Sequence, residues 1–423
     1  LLKKILGTAG ARLIITIISF IVVIINARNL GAGGVGEITL LVLGITIILL
    51  FSNIVGGGAL VYLIPRFDLF TILVPAYFWS FLSAIIGAYA LSFFDLIPRI
   101  YTHHVLFISL FQSLASTNLN VLLGKEKIKQ FNFISVFQVV VLIGSLILFF
   151  FYLKQVEVIS YIYSMYLAYF SSFLISAFAI RKYVNFKGFE QFDEAIIQIF
   201  KYGTYVQLAN LMQLLNYRLG YYIIERFLGK PGLGVFSVGN QVSEGLWLIG
   251  KSVAMVQYSR ISNSTDAIFA KNMTLRFFKF VFVITFGLLV VLILIPDSFF
   301  VFVFMKDFSG LHRVILSLAP GILAMSVSMI LSHFFSGTGR HYHNTISSGI
   351  GLVLTLMFGF TLIPEFGILG AGITASISYF ASAGYQLIVF MKITKTSAGN
   401  FLLSGDDFTF IKNEISEMIK RKN

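Results

Sequence analysis

Runs of mostly apolar residues recur along the whole chain, separated by short polar clusters. This alternation predicts helices that cross a bilayer, because roughly 30 Å of hydrocarbon takes about 20 helical residues. Twelve such segments are expected, near residues 5–27, 36–63, 70–94, 102–123, 131–153, 158–180, 201–227, 233–258, 274–295, 311–335, 344–363 and 367–391. The first is read as a spanning helix, since no polar mature domain follows it as it would follow a cleavable signal. The apolar run at 299–305 is too short to span and is expected at the membrane surface.

Composition supports this reading. Hydrophobic residues make up 57% of the 423 and charged residues 12%, with a mean hydropathy of +0.90. A soluble domain of that size is excluded. The absence of Cys removes disulfides, structural zinc and thiol catalysis, the six His are too scattered for a metal site, and no Walker A sequence is present for ATP hydrolysis. No cofactor is expected, and no enzyme: a membrane-embedded glycosyl- or lipid-transferase would need a sizeable polar loop carrying carboxylates, and no external loop is long enough.

Orientation follows from Lys and Arg. With the N-terminus inside, 21 of the 31 bases fall on the cytoplasmic side, seven outside and three within segments. The expectation is a multi-pass protein of the cell inner (cytoplasmic) membrane with both termini cytoplasmic. The net charge of +13 is then largely an inner-leaflet property, suited to membrane lipids. It does not indicate nucleic acid, because the bases lie in separate short loops.

The longest charged interruption, 181–194, divides the segments into two sets of six. The expected organisation is an N-terminal bundle (1–180), a cytoplasmic linker (181–200), a C-terminal bundle (201–391) and a cytoplasmic tail (392–423), whose stretch 404–422 reads as an amphipathic helix. A repeat supports the division: LGAGGVG at 30–36 returns as LGKPGLG at 228–234, shifted by 198 residues, and Arg28 falls on Arg226. A second echo pairs Gly124-Lys125 with Gly339-Arg340. Six is even, so both halves run in the same direction, and a pseudo-two-fold axis along the membrane normal is expected.

NARNLGAGGVGEI after the first segment, RFLGKPGLGVFSVGNQVSEGL at 226–246, the glycine ends of segments four and ten, and FGILGAGITASIS at 366–378 resemble the Wzx-type polysaccharide flippases. These belong to the multidrug/oligosaccharidyl-lipid/polysaccharide exporter superfamily. The resemblance implies a V-shaped pair of six-helix bundles, a MATE-like all-α fold, that moves a polyprenyl-diphosphate-linked oligosaccharide between leaflets. It also implies polysaccharide polymerase and glycosyltransferases as functional partners. Lipid II flippases and cation-coupled drug antiporters of the same superfamily are the alternatives. Fourteen helices would favour the former, and a carboxylate-led cavity the latter.

A cavity that shelters an anionic sugar carrier should present cations, hydrogen-bonding groups and aromatic faces. Segment seven offers Gln207, Asn210, Gln213, Tyr217 and Tyr221 at helical spacing, and segment eight offers Asn240, Glu244, Trp247 and Lys251. Segment four adds Gln112, Ser116 and Asn120, which also suit interhelical hydrogen bonding. Arg218 and Glu244 each lie 13 residues from Pro231, about 20 Å along their helices, and consecutive antiparallel helices would bring them level. They are expected to pair in the empty protein, with Arg218 available to a diphosphate, or else to form a permanent structural pair. Lys251 and Arg12 are further candidates, and both could snorkel to the cytoplasmic interface. His341 and His343 are expected in a solvated cytoplasmic loop.

Overall fold

The computed structural model of the chain describes residues 2–184, 192–264 and 266–402. Helices dominate and no strand occurs among the described residues: α1 (Leu2–Gly56), α2 (Gly58–Leu63), α3 (Leu69–Phe93), α4 (Thr102–Gly124), α5 (Ile128–Ile147), α6 (Val158–Ile180), α7 (Phe192–Glu244), α8 (Trp247–Ser262), α9 (Ala267–Leu294), α10 (Asp297–Phe304), α11 (Leu311–Gly337) and α12 (Tyr342–Thr394). Three of these are double-length. Among the described residues eight helices are long and apolar enough to cross a membrane, and two of them, spanning 52 and 53 residues, are long enough to cross twice. The more polar α7 and α8, separated by a short break, are not among these eight. Among the described residues the chain is all-α, and its long apolar helices make it a multi-pass membrane protein. The proposed tail helix at 404–422 and the centre of the linker, 185–191, lie outside the described residues.

Each double helix is broken at one glycine. Gly31 has φ 66° and ψ −176°, and Gly229, 198 residues later, has φ 67° and ψ −177°. That region is open essentially to glycine alone, so the repeated LG motif encodes a repeated backbone turn. The two turns also meet reciprocally. A Cβ on Gly36 would run into the carbonyl oxygen of Lys230, and a Cβ on Gly234 into that of Ala32; each partner is the other's equivalent at the same shift. The Lys230 ammonium closes on Glu37 at 3.1 Å.

The second echo, read from the sequence as Gly124-Lys125 with Gly339-Arg340, takes a different register in the structure. Helices α4 and α11 end at Gly124 and Gly337, and a Cβ on each would press on an isoleucine, Ile64 and Ile261 respectively. Gly124 therefore corresponds to Gly337 rather than Gly339, a shift of 213. The positive φ of Gly339 (74°) matches that of Glu126 (55°) at the same shift. Part of the added length is α10, which has no counterpart in the 94–101 connection. Too short to span, α10 buries Phe300 and Phe304 and exposes Phe302.

The chain forms two compact units. The first comprises 1–211, 230–234 and 303–307, the second 212–229, 235–302 and 308–423. In the first, buried Ile48, Ala84, Ile108 and Met165 form one apolar core and Leu60, Ile72 and Val121 another. In the second, Phe334, Phe335 and Phe390 pack with Ile261. Between lipid-facing helices the hydrophobic effect contributes little, and small residues and hydrogen bonds hold the seams. Ser52 meets Ser80 at 3.0 Å, Tyr77 donates to Asn118 at 2.5 Å, and Ser328 donates to Gln386 at 2.6 Å.

His343 departs from the sequence expectation. It lies in the first turn of α12, buried, with Nδ1 2.9 Å from the Tyr385 hydroxyl and its ring against Phe335. The helix begins one residue earlier, at Tyr342, and so draws His343 into the packing, while exposed His341 stays outside.

Candidate substrate-binding site

The turn at Gly229 folds the second half of α7 back along the first, which brings Arg218 level with Glu244 in the second unit. Arg218 Nη1 and Nη2 donate to the two carboxylate oxygens, each at 2.8 Å. Nη1 also donates to the Tyr221 hydroxyl at 2.6 Å. Asn240, one turn before Glu244, donates from Nδ2 to Glu244 Oε1 at 2.8 Å and to Tyr221 at 2.9 Å. The network is half-buried at the pair and buried at Tyr221 and Asn240. A guanidinium carries five N–H donors, and the end-on fork of Arg218 is committed to Glu244. Its other edge, Nε–H and the second Nη2–H, engages no described residue and matches a phosphate fork.

Glu244 is the last residue of α7, and the helical ladder restarts only at Trp247. A helix interruption near mid-membrane needs protein or a cavity to satisfy its backbone. Here Gly245 N bonds to Gln241 O and Leu246 N to Ser243 O. Beyond the break, Trp247 stacks in a three-ring cluster with Tyr217 (5.7 Å) and Tyr379 (5.7 Å), and the latter two lie 5.8 Å apart. Trp247 is buried and donates from Nε1 to Ile322 O. The exposed Lys251 ammonium lies 5.9 Å from the centroid of its ring, a cation–π distance.

The structure thus gathers Arg218, Glu244, Asn240, Tyr217, Trp247 and Lys251 in one unit. Gln207 and Asn210 belong to the first unit, where Asn210 donates to Gln207 at 3.1 Å. Arg12, exposed on α1, is in that unit too. No group of three or more His, Cys, Asp or Glu that could hold a metal ion occurs among the described residues.

No family model matches the sequence. Against solved structures, the chain superposes on a lipid II flippase, MurJ, in an inward closed conformation, with a TM-score of 0.75 at 14% identity over 93% of this chain and 88% of that one. It superposes on an inward-facing multidrug resistance MATE family transporter of the MOP superfamily with a TM-score of 0.70, again at 14% identity, over 91% of this chain and 96% of that one. The chain shares the fold of these two proteins. In sequence it is 23% identical over 217 residues to the capsular polysaccharide biosynthesis protein CapF of Staphylococcus aureus, a match covering 50% of this chain and 55% of CapF. It therefore spans about half the length of the curated relative it matches.

Sequence reasoning missed Tyr379. It is fully buried on the second half of α12 and completes the aromatic cluster. Its only signal was a phenol beside Ser376, Ser378 and Ser382 in a spanning segment, a group that seeks a polar neighbour when buried.

Proposed function

We propose that this protein is a flippase carrying a polyprenyl-diphosphate-linked oligosaccharide, a surface-polysaccharide repeat unit, from the cytoplasmic to the outer leaflet by alternating access. The observation that carries the reading is the Arg218 fork, held at mid-helix depth by the network of Glu244, Tyr221 and Asn240, with Nε–H and one Nη2–H making no hydrogen bond to a described residue. A diphosphate can engage that edge while Glu244 stays in place, so loading need not strand a buried carboxylate. Lys251 adds a second cation on the route from the cytoplasmic face. The likeness to a capsular polysaccharide biosynthesis protein supports a polysaccharide cargo. Glycosyltransferases would supply the unit and a polymerase would consume it. As cargo contacts, Gln207, Asn210 and Arg12 rest on helix periodicity and charge alone.

Deletion of the gene, followed by lipid extraction, tests the cargo class. A lipid-linked oligosaccharide is expected to accumulate on the cytoplasmic leaflet; an unchanged lipid-linked pool with lost drug resistance would replace this reading with an antiporter. Topology is tested separately. Reporters fused after Lys187, Asp266 and Lys422 are expected to read cytoplasmic, and those at Arg99, Lys230 and Glu365 external, from the distribution of bases. A cytoplasmic signal at Lys230 would overturn the orientation.

A further inference from the structure

We propose that a cavity of about 380 Å³ within the first unit is a neutral carbohydrate subsite that binds hydroxyl groups of the cargo glycan. The proposal rests on the flippase reading and extends it to the sugar. The cavity lies between α1, α4 and α5, and its polar lining is Gln112, Ser116 and Asn120 from α4 and Ser135 and Gln138 from α5, with Phe131 beside them. No charged residue lines it. Its size falls within the range of small-molecule pockets, about 300–1,000 Å³.

The polar residues of α4 divide into two kinds. Ser116 donates to Asn53 Oδ1 at 3.2 Å, and Asn120 donates to the Gly56 carbonyl at 3.0 Å; these two bind α4 to the second half of α1, as interhelical polar groups in membranes do. Gln112 is different. Its Oε1 has almost no accessible surface and accepts no hydrogen bond among the described residues; because an unpaired buried acceptor is destabilising, turning the carboxamide into the cavity to meet a hydroxyl would be favoured. Gln138 approaches the same space from α5. Two carboxamides offer donors and acceptors together, the complement of sugar hydroxyls, and Phe131 provides an apolar surface for the carbon face of a ring. An ion would require charge that the lining lacks, and a prenyl chain would not require five hydrogen-bonding side chains.

Position agrees with this chemistry. Gln112 lies ten residues from the start of α4 and twelve from its end, so it stands near mid-membrane, while Leu123, also in the lining, is at the end that the base distribution places inside. The cavity therefore runs from the loading face to the level where the headgroup must cross.

The test uses the full-length protein in nanodiscs and two probes: undecaprenyl diphosphate alone, and undecaprenyl diphosphate bearing a neutral trisaccharide. Wild type is expected to bind the sugar-bearing probe more tightly. The Gln112→Leu/Gln138→Leu variant, which keeps side-chain volume and removes an unsatisfied acceptor, should retain its melting temperature. It should lose about tenfold in affinity for the sugar-bearing probe, the equivalent of one or two hydrogen bonds, and none for the bare diphosphate. Equal weakening toward both probes, or no sugar-dependent increment in wild type, overturns the subsite. Sugar-dependent binding that the variant loses, with no binding of bare diphosphate, would keep the subsite and remove the diphosphate role of Arg218. Failure of wild type to bind either probe would remove both.

Discussion

Arg218→Ala is expected to abolish transfer of the lipid-linked oligosaccharide while the protein remains in the membrane at near-normal level. Truncating one partner of a buried, hydrogen-bonded charge pair costs about 2–5 kcal/mol of binding, enough to empty the site of an anionic cargo. The fold should survive because Glu244 keeps the hydrogen bond from Asn240 and the pair is only half-buried. Arg218→Lys should retain part of the activity, since it preserves charge and loses the planar fork. Glu244→Gln should be milder than either, leaving Arg218 freer for anions. A purely structural pair predicts a different pattern: each single change strands a buried charge, at about 3–5 kcal/mol, and the neutral double replacement restores the protein. Membrane abundance and leaflet transfer, measured for both singles and for Arg218→Ala/Glu244→Gln, separate the two. Full transport by the double variant would end the anion-binding role of Arg218.

The pair was legible in the sequence because it needed only a helical rise and a turn: equal spacing from Pro231 on consecutive antiparallel helices leaves little freedom. The repeated glycine motif was equally visible, but the reason for it was not, since the nearly identical dihedrals of Gly31 and Gly229 are a property of three-dimensional backbone. The register of the second echo failed by two residues because the halves differ in length before α11, where α10 intervenes; a single shift cannot align both ends of such a repeat. Tyr379 and His343 were misjudged for one reason. Their partners, Tyr217 and Trp247 for the first and Tyr385 for the second, are distant in sequence, and local composition carries no record of such contacts. The same limit applies to the cavity in the first unit. Periodicity placed Gln112, Ser116 and Asn120 on one face, yet only the contacts distinguish the two that tie helices together from the one left free.

The reciprocal turn contact yields the sharpest stability prediction. Gly36→Ala and Gly234→Ala each drive a methyl into a backbone carbonyl of the other repeat, Lys230 and Ala32 respectively, and a main-chain atom cannot rotate aside as a side chain can. Each is expected to destabilise by about 1–3 kcal/mol, the usual range for overpacking, and by similar amounts because the two contacts are equivalent. Gly33→Ala is the control. It sits in the same motif, but its Cβ would meet only the Pro231 ring at 3.9 Å, and its φ is not positive, so the change should be neutral or slightly stabilising. The double variant should destabilise less than the sum of the singles, because parting the two turns once makes room for both methyls, the coupling expected of residues in contact. Thermal unfolding of the four variants in one detergent checks all of this. A harmless Gly36→Ala beside a damaging Gly33→Ala would show that the motif serves local turn formation alone, and strict additivity of Gly36→Ala and Gly234→Ala would show that the two turns do not share a contact.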